Sequence, residues 1–131
     1  MITLTVQTHA QSELRDITQQ VQEAVRQGGV DDGLCTLFIP HTTAGVTLNE
    51  NWDSDVQRDI LLTLADIAPV DPRHRHREGN SPAHIKASMV GASALVFVKG
   101  GQLQLGRWQG IYLAEFDGPR SRNVWVKVVA G

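Results

Sequence analysis

Ala94-Leu95-Val96-Phe97-Val98-Lys99-Gly100-Gly101-Gln102 is the stretch that decides the fold. Its apolar run, rich in β-branched and aromatic residues, predicts a buried strand, and the glycine pair predicts a tight hairpin turn. Leu103–Trp108, Ile111–Phe116 and Asn123–Val129 have the same strand character, and Asp117-Gly118-Pro119-Arg120 is a turn between the last two. The C-terminal third is therefore predicted to consist of antiparallel strands joined by short turns.

The first third of the chain contains further predicted strands. Ile2–Thr8 alternates apolar and polar side chains, Leu34–Ile39 is an apolar run that ends at Pro40, and Val46–Leu48 is a short strand. Because strands lie at both ends with helices between them, we expect an α+β fold with a largely antiparallel sheet or sandwich and two to three packed helices. At 131 residues, a single domain over 1–131 is expected.

Three helices are predicted between these groups of strands. Asp16 offers a capping oxygen to the first, which ends at Gly28-Gly29. The second begins at Asp53 or Ser54. Its predicted core-facing stripe consists of Val56, Ile60, Leu64 and Ile67.

The third helix carries part of the predicted chemistry. Ser81 is a favourable N-cap, Pro82 suits the first helical position, and Gly91 ends the helix. Its expected apolar stripe is Ile85, Met89 and Ala92, with His84 and Ser88 along the edge.

The composition is that of an ordinary globular protein, with 41% hydrophobic and 20% charged residues and a formal net charge of -2. This balance gives no general electrostatic attraction to nucleic acid, and no apolar run approaches membrane-spanning length. The single cysteine, Cys35, lies in an apolar strand and is expected to be a core residue. One cysteine and a start at Met1 without a basic leader region lead us to expect a cytoplasmic protein.

Three of the five histidines lie within His74–Ser88, where we expect the chemistry. His84 falls in the first turn of its helix, where the helix dipole favours a neutral imidazole that can serve as metal ligand or general base. His41, His76 and His84 would supply three nitrogens to a divalent metal, zinc or magnesium, with an open position. His74 is the alternative to His76, and the arginines between them are equally typical of a solvated loop.

An anion-binding group is predicted around the same helix. Asn80 and Ser81 lead into exposed helix N–H groups, and Lys86 and Arg120 can supply cations for a phosphate. Each basic residue alone is also explained by surface solubility. Elsewhere, the Thr42 and Thr43 hydroxyls can donate hydrogen bonds, and Trp108 with Gln109 can stack on and hydrogen-bond a heterocycle; a β-branched strand position and core packing are the competing explanations.

The carboxylates of Glu50, Glu115 and Asp117 are the acidic candidates. Glu115 lies in an apolar strand, so it must face solvent or be buried with a partner, because an unpaired buried charge is prohibitive. Asp117 has the competing explanation that it closes its turn through a side-chain hydrogen bond.

These segments resemble one family in order along the whole chain. His41–Asn51 resembles the opening signature of the YjbQ-like proteins, and Glu78–Asn80, His84–Ser88, Trp108–Ile111 and Glu115–Arg120 match its later blocks. The family is labelled as secondary thiamine-phosphate synthase enzymes, and the resemblance implies a compact α+β homotrimer. Arg107 and Ala114 depart from the family pattern, which commonly has a small hydroxyl residue and a cysteine at these positions.

Residue chemistry and resemblance together give the candidate site. The expected catalytic residues are His84, His41, Glu115 and Asp117. The expected substrate-binding residues are Thr42, Thr43, Asn49, Glu50, Asn80, Lys86, Ser88, Trp108, Gln109 and Arg120.

The activity that the resemblance implies is condensation of a hydroxymethylpyrimidine diphosphate with a thiazole phosphate, which gives thiamine phosphate and pyrophosphate. The expected partner is thus a phosphorylated small molecule. Two alternatives stay open: a non-catalytic protein that binds a metal or a phosphorylated metabolite, and a structural trimer whose polar segments meet at subunit interfaces. A dedicated (β/α)₈ synthase needs about 250 residues of alternating strands and helices, so thiamine phosphate synthesis here would be convergent.

Overall fold

A computed structural model describes the whole chain, Met1–Gly131, as three helices and eight strands. The strands are β1 (Ile2–Gln7), β2 (Glu13–Asp16), β3 (Asp32–Phe38), β4 (Ala44–Glu50), β5 (Ser93–Lys99), β6 (Gln102–Leu103), β7 (Gln109–Glu115) and β8 (Ser121–Ala130). The helices are α1 (Thr18–Gly28), α2 (Ser54–Ile67) and α3 (Ser81–Val90). The predicted α+β class is confirmed.

The strands form two antiparallel sheets. The larger sheet has the order β1-β8-β3-β5-β6, and the smaller has the order β2-β7-β4. Leu37, Val96 and Val126 of the larger sheet share one hydrophobic core with Val46 and Leu113 of the smaller sheet. The chain is therefore a β-sandwich, and α1 adds its buried apolar face to the same core.

The central strand of the small sheet, β7, is covered on both faces. Leu113 faces the core between the sheets, whereas Ala114 packs with Ala83 and Ala87 of α3 on the opposite face. Residues 110–116 are all buried as a result. Side chains of β7 thus reach both the sheet–sheet core and the helical layer, because successive strand residues point to opposite faces.

Two helices begin at the aspartates that the sequence predicts as their capping residues. Asp16 Oδ1 accepts a hydrogen bond from the Thr18 N–H at 2.9 Å at the start of α1. Asp53 caps α2 by accepting from the Asp55 N–H at 2.9 Å. Gly29, with φ of 66°, ends α1 in the left-handed conformation that glycine adopts without strain.

The extended segments differ from the prediction in two places. The strand expected over Leu103–Trp108 is confined to Gln102–Leu103, because a turn follows in which Gln109 Oε1 accepts from the Gly106 N–H at 2.8 Å. Strand β2 was not predicted from the sequence. Its four residues contain one apolar side chain, Leu14, which gives no alternation to detect.

The third helix differs from the prediction in its start and in its buried face. Asn80 is the N-cap, without a side-chain capping bond, so that Ser81 is the first helical residue rather than the cap. Small alanines and Lys86 form the buried face, whereas Ile85 and Met89 of the predicted apolar stripe are exposed. Ala83 and Ala87 pack on Ala114 and Phe116, and the end of α3 lies so near β4 that a Cβ at Gly45 would be 2.6 Å from the Gly91 carbonyl oxygen. Such a close approach favours small side chains where the helix meets the sheet.

No residue of α2 is fully buried. Leu61 and Leu64 pack against the small core under α3, but Ile67, at the end of the predicted stripe, is 56% exposed. Val56 and Ile60 line a shallow apolar groove instead of the core. None of the three helices has the combination of length and apolar character that crossing a membrane requires.

Candidate functional site

A buried ion pair between β7 and β8 forms the polar centre of the molecule. Glu115 is 0% exposed and Arg122 is 2% exposed. Arg122 Nε donates to Glu115 Oε1 at 2.9 Å, and Arg122 Nη2 donates to Oε2, so that the pair is bidentate. Because β7 belongs to the small sheet and β8 to the large one, this pair joins the two sheets.

Both oxygens of the Glu115 carboxylate have a second donor. Thr8 Oγ1 donates to Oε1 at 2.8 Å, and the Asp117 N–H donates to Oε2 at 3.0 Å. Arg122 Nη2 also donates to Thr43 Oγ1 at 2.7 Å. Glu115 is therefore enclosed and fully hydrogen-bonded, and its geometry fits a positioning residue rather than the predicted catalytic residue that touches a substrate.

The Glu115 carboxyl stays ionised in this environment. Burial alone raises its pKa, but the hydrogen bonds from Arg122, the Asp117 N–H and Thr8, together with the charge of Arg122, outweigh burial and hold the pKa below its usual range. The carboxylate thus contributes to stability as an anion.

The turn from Glu115 to Arg122 carries two more of the predicted residues. Asp117 Oδ2 accepts from Arg120 Nη2 at 3.2 Å and from Asn80 Nδ2 at 2.8 Å. The carboxylate of Asp117 therefore ties its own turn to the start of α3. The Asn80 amide was predicted to bind a ligand; its nitrogen binds Asp117 instead.

His41 lies just beyond the end of β3, where the chain crosses to β4. Its Nε2 accepts a hydrogen bond from the Asn123 N–H at 2.8 Å, which requires a free lone pair on that nitrogen. Burial, followed by the charges of Arg122 and Arg120, lowers the pKa of His41, although Glu115 partly opposes them. The neutral imidazole then carries its proton on Nδ1, so His41 is a hydrogen-bond donor rather than a free base.

Two neighbouring hollows share His41 and Thr42 as lining residues, and we call the two together the His41 cleft. One hollow, of about 520 Å³, is lined by His84 and Ser88 of α3. The other, of about 530 Å³, is lined by Thr43, Arg120 and Arg122 among others. Six residues predicted from the sequence therefore lie around one cleft: His41, Thr42, Thr43, His84, Ser88 and Arg120.

Backbone hydrogen bonds join the segments that border the cleft. The Val46 N–H of β4 donates to the Gly91 carbonyl at 3.0 Å, and the Ile39 N–H donates to the Ala92 carbonyl at 2.7 Å. A Cβ at Gly45 would lie 2.6 Å from the Gly91 carbonyl oxygen, so glycine is required for this close approach. These contacts fix the end of α3 against β4.

The three predicted metal ligands do not form a complete metal site within one chain. The rings of His76 and His84 lie 5.2 Å apart and nearly perpendicular. The Nε2 lone pair of His41 is occupied by the Asn123 N–H. No group of three or more His, Cys, Asp or Glu side chains is placed to hold a metal ion, whereas a catalytic zinc needs three protein ligands.

Lys86 lines a third cavity on the other side of α3. This cavity has a volume of about 470 Å³ and is also lined by Asn80, Asp117 and Glu78. Two carboxylates beside a single lysine disfavour the phosphate dianion that the sequence suggested for this position. We call this space the Lys86 cavity.

A second group of predicted residues lies at the far end of the small sheet. The register pairs Ala44 with Glu115 at one end and Glu50 with Gln109 at the other. Six residue steps of roughly 3.4 Å place the two ends about 20 Å apart. Asn49, Glu50, Trp108 and Gln109 therefore do not reach the His41 cleft within one chain.

The residues at this far end have local structural contacts. Glu50 Oε2 accepts from the backbone N–H groups of Trp52 and Asp53 at 3.2 Å each. Asn49 Oδ1 accepts from the N–H of the next residue at 2.7 Å. Trp108 is 46% exposed, with the Arg107 guanidinium 4.8 Å above its ring. Trp108 therefore lies at the surface, and the alternative explanation of core packing is wrong.

Two residues of the polar centre, Thr8 and Arg122, were not identified from the sequence. The alternation of inward and outward positions along each strand could have identified both residues. Thr8 continues the inward positions of Leu4 and Val6, and Arg122 precedes the inward Val124. Polar side chains at inward positions of two strands, near an acidic residue in an apolar strand, indicate a buried polar pair.

Cys35 is fully buried, as expected for a core residue. Burial raises the pKa of its thiol to about 11. A thiol with such a pKa is not a nucleophile at neutral pH.

Comparison with known proteins places these residues in a family. The sequence matches the family described as "UPF0047 protein YjbQ-like" over residues 2–131. It is similar to UPF0047 protein MJ1081 of Methanocaldococcus jannaschii, with 46% identity over 124 residues that cover 95% of this chain and 90% of that protein. UPF0047 protein YugU of Bacillus subtilis is 45% identical over 128 residues, which cover 97% of each chain.

Solved structures of similar proteins have the same fold. An uncharacterized conserved protein of the YjbQ/UPF0047 family from Clostridium acetobutylicum is 50% identical, with a TM-score of 0.96 over 98% of this chain and 100% of that chain. A YbjQ-like protein of unknown function from Sulfolobus solfataricus P2 is 34% identical, with a TM-score of 0.94 over 99% of this chain and 96% of that chain.

We predict strong thermodynamic coupling between Glu115 and Arg122. Glu115→Leu or Arg122→Met alone leaves one buried charge without a partner and should lower the free energy of unfolding by about 3–5 kcal/mol at pH 7. The double variant should cost clearly less than the sum of the two. Urea unfolding of the four proteins measures this coupling.

The same cycle has a predicted pH dependence. Because the folded pKa of Glu115 is lowered, its stabilising contribution is present above the unfolded value of about 4.3 and is lost as the pH falls through the folded pKa. The coupling should therefore shrink below about pH 4. Additive single-variant costs at pH 7 would contradict the assignment.

We also predict that His41 titrates below the ordinary histidine pKa. A neutral His41 contributes to the free energy of unfolding above its unfolded pKa of about 6.5, and this contribution is lost as the pH falls through the folded pKa. Arg120→Gln should raise the pKa of His41, because it removes a nearby positive charge. An NMR titration of the imidazole measures both effects. Arg15→Gln, on β2, is the control, and an equal shift in both variants would refute the electrostatic explanation.

Proposed function

The chain belongs to the YjbQ-like UPF0047 family, and from that premise we propose that it is a small cytoplasmic enzyme acting on a phosphorylated small molecule at the His41 cleft. The proposed reaction condenses a hydroxymethylpyrimidine diphosphate with a thiazole phosphate to give thiamine phosphate and pyrophosphate. One observation carries the proposal: a neutral imidazole donor, hydroxyls and a partly exposed arginine surround one cleft.

The chemistry of this condensation sets the requirements for the site. The thiazole nitrogen attacks the pyrimidine methylene with its own lone pair, the C–N bond forms, and the C–O bond to the diphosphate breaks. No base has to remove a proton, so the absence of a free carboxylate from the cleft is compatible with the reaction. The main requirement is stabilisation of the negative charge that develops on the departing diphosphate.

Residues of the His41 cleft match this requirement. Arg120 has a half-exposed side chain at the edge of the cleft, and its guanidinium can donate a hydrogen bond to a diphosphate oxygen as well as to Asp117. The Nδ1–H of His41 and the hydroxyl of Thr42 are further donors. Arg122, paired with Glu115, holds the neighbouring Thr43 by donating to its hydroxyl oxygen. His84 and Ser88 line the opposite hollow, where we place the second substrate.

The divalent metal stays a prediction. His76 and His84 supply two neighbouring imidazoles, and zinc or magnesium there would need a further ligand from the substrate or from another subunit. A bound metal would supply positive charge to the leaving diphosphate. We assign no step to it, because the donors within one chain are incomplete.

A homotrimer belongs to the same proposal. The outer face of the larger sheet exposes Phe38, Leu95, Phe97 and Trp125, and the rings of Phe38 and Trp125 stack at 5.7 Å. Exposed apolar surface of this kind supports association between copies of the chain. Association would also offer a route by which Trp108 of one copy approaches the cleft of another.

The second candidate function is non-catalytic binding of a phosphorylated metabolite at the same cleft. The incomplete metal site and the hydrogen-bonded Nε2 of His41 favour it, because neither provides a reactive group within one chain. Retention of ligand without turnover distinguishes this candidate from the enzyme.

We predict that the purified protein forms thiamine phosphate and that His84→Ala lowers the rate about 100-fold, because it removes a side chain that positions the second substrate. His9→Ala removes an exposed histidine outside the cleft and is the matched control. Product formation, metal content and solution mass are measured on all three samples.

Two results would contradict the proposal. Equal traces of product from all three proteins would show that the activity is incidental. Ligand retention at the cleft without product would favour the binding protein. Metal lost together with activity in His84→Ala would support the metal prediction.

A further inference from the structure

The side chain of Lys86 is buried, and its ammonium group opens onto the Lys86 cavity. The residue is only 8% exposed, and its ammonium group makes no hydrogen bond and no ion pair within the chain. Its nearest recorded contact is the Phe116 ring, whose centroid lies 5.9 Å from Nζ. Because the ammonium group faces the cavity and is unpaired, Lys86 is placed to bind an anion there.

Asn80 holds Asp117 at the edge of the same cavity. Its Nδ2 donates to Asp117 Oδ2 at 2.8 Å, which fixes the orientation of the amide. Its Oδ1 has neither accessible surface nor a hydrogen-bond partner, so a molecule in the cavity meets the Asp117 carboxylate rather than this oxygen.

These two groups lie at the same end of α3. Lys86 follows Asn80 by six residues, which is about 9 Å along a helix. Long helical side chains point back toward the N-terminus, so the ammonium group approaches the level of Asn80. One small molecule in the cavity can therefore contact Lys86 and the Asp117 carboxylate that Asn80 holds.

The charges around the cavity favour a ligand without net charge. Lys86 supplies one positive charge to the cavity, and Glu78 and Asp117 supply two negative charges, of which that of Asp117 is already paired with Arg120 outside the cavity. A dianion would face the two carboxylates, and a cation alone would leave Lys86 without a partner. A molecule with one anionic and one cationic group satisfies both sides.

The remaining wall of the cavity is apolar. It is formed by Ala65, Ala68, Pro69, Val70, Pro82 and Ala83. Small aliphatic side chains and prolines offer contact area but no hydrogen bonds, so the body of the ligand that faces them is hydrocarbon.

We propose that the Lys86 cavity binds a small zwitterion of the amino-acid type: its carboxylate pairs with Lys86, its ammonium pairs with the carboxylates of Asp117 and Glu78, and its apolar side chain packs on the alanine and proline wall. The cavity is lined by none of the residues that form the His41 cleft. The proposed binding therefore does not depend on the proposed reaction.

Leucine and its two halves test the proposal on the full chain. Leucine carries both charges and an aliphatic side chain, 4-methylpentanoate lacks the ammonium group, and 3-methylbutylamine lacks the carboxylate. In an NMR titration followed at the amides of Asn80 and Ala83, leucine should bind about tenfold or more tightly than either half.

Variants assign the binding to groups that line the cavity. Lys86→Met should weaken leucine binding about tenfold or more, because it removes the partner of the ligand carboxylate. Asn80→Ala should also weaken binding, because it releases the Asp117 carboxylate. Lys99→Met removes an exposed lysine at the end of β5 and should leave leucine binding unchanged.

Three results would overturn the proposal. Equal affinity for leucine and 4-methylpentanoate would identify a simple anion site. If leucine causes no change in the amide chemical shifts, the cavity does not bind this class of ligand. A change of solution mass in Lys86→Met, without leucine binding to the wild type, would show that another copy of the chain supplies the partner of the lysine.

Discussion

The structure depends on one buried ion pair, Glu115 with Arg122, which sits where the two sheets meet. Burial of either charge alone is prohibitive, so the last residue of β7 and the second residue of β8 have to remain together. Thr8 from β1 and Thr43 from the β3–β4 connection complete the hydrogen bonds of the pair. Four separate segments are thereby fixed at one point, and no water is needed to satisfy the carboxylate.

The surfaces with candidate function lie on either side of this point. On one side, the backbone of β8 that carries Arg122 continues to Asn123, whose N–H sets the orientation and protonation of His41. On the other side, the turn after Glu115 presents Asp117, which holds Asn80 at the start of α3. A buried structural pair can in this way determine the chemistry of two separate sites without touching a ligand at either one.

Much of the fold follows from local patterns, and the site follows from them only in part. Strand alternation, capping residues and glycine ends predicted the α+β class and most element positions, because these signals act within a few residues. The buried face of α3 was not predictable in the same way, since the choice of alanine over Ile85 and Met89 depends on how closely the small sheet approaches. Likewise, Trp108 and Gln109 lie in a block that resembles the same family as His41, but the strand register places them at the opposite end of the sheet. A family resemblance groups residues along the sequence, but it does not show which of them are in contact within one chain.

Amide hydrogen exchange on Glu115→Gln, compared with the wild type, tests most directly whether the buried pair organises both sites. Without the negative charge, the hydrogen bonds donated by the amides of Phe116, Asp117 and Asn123 should open more often, and these amides should lose protection together. Amides of the central strand β3 should keep their protection. Unchanged protection at the three amides, or an equal loss throughout the chain, would contradict the account.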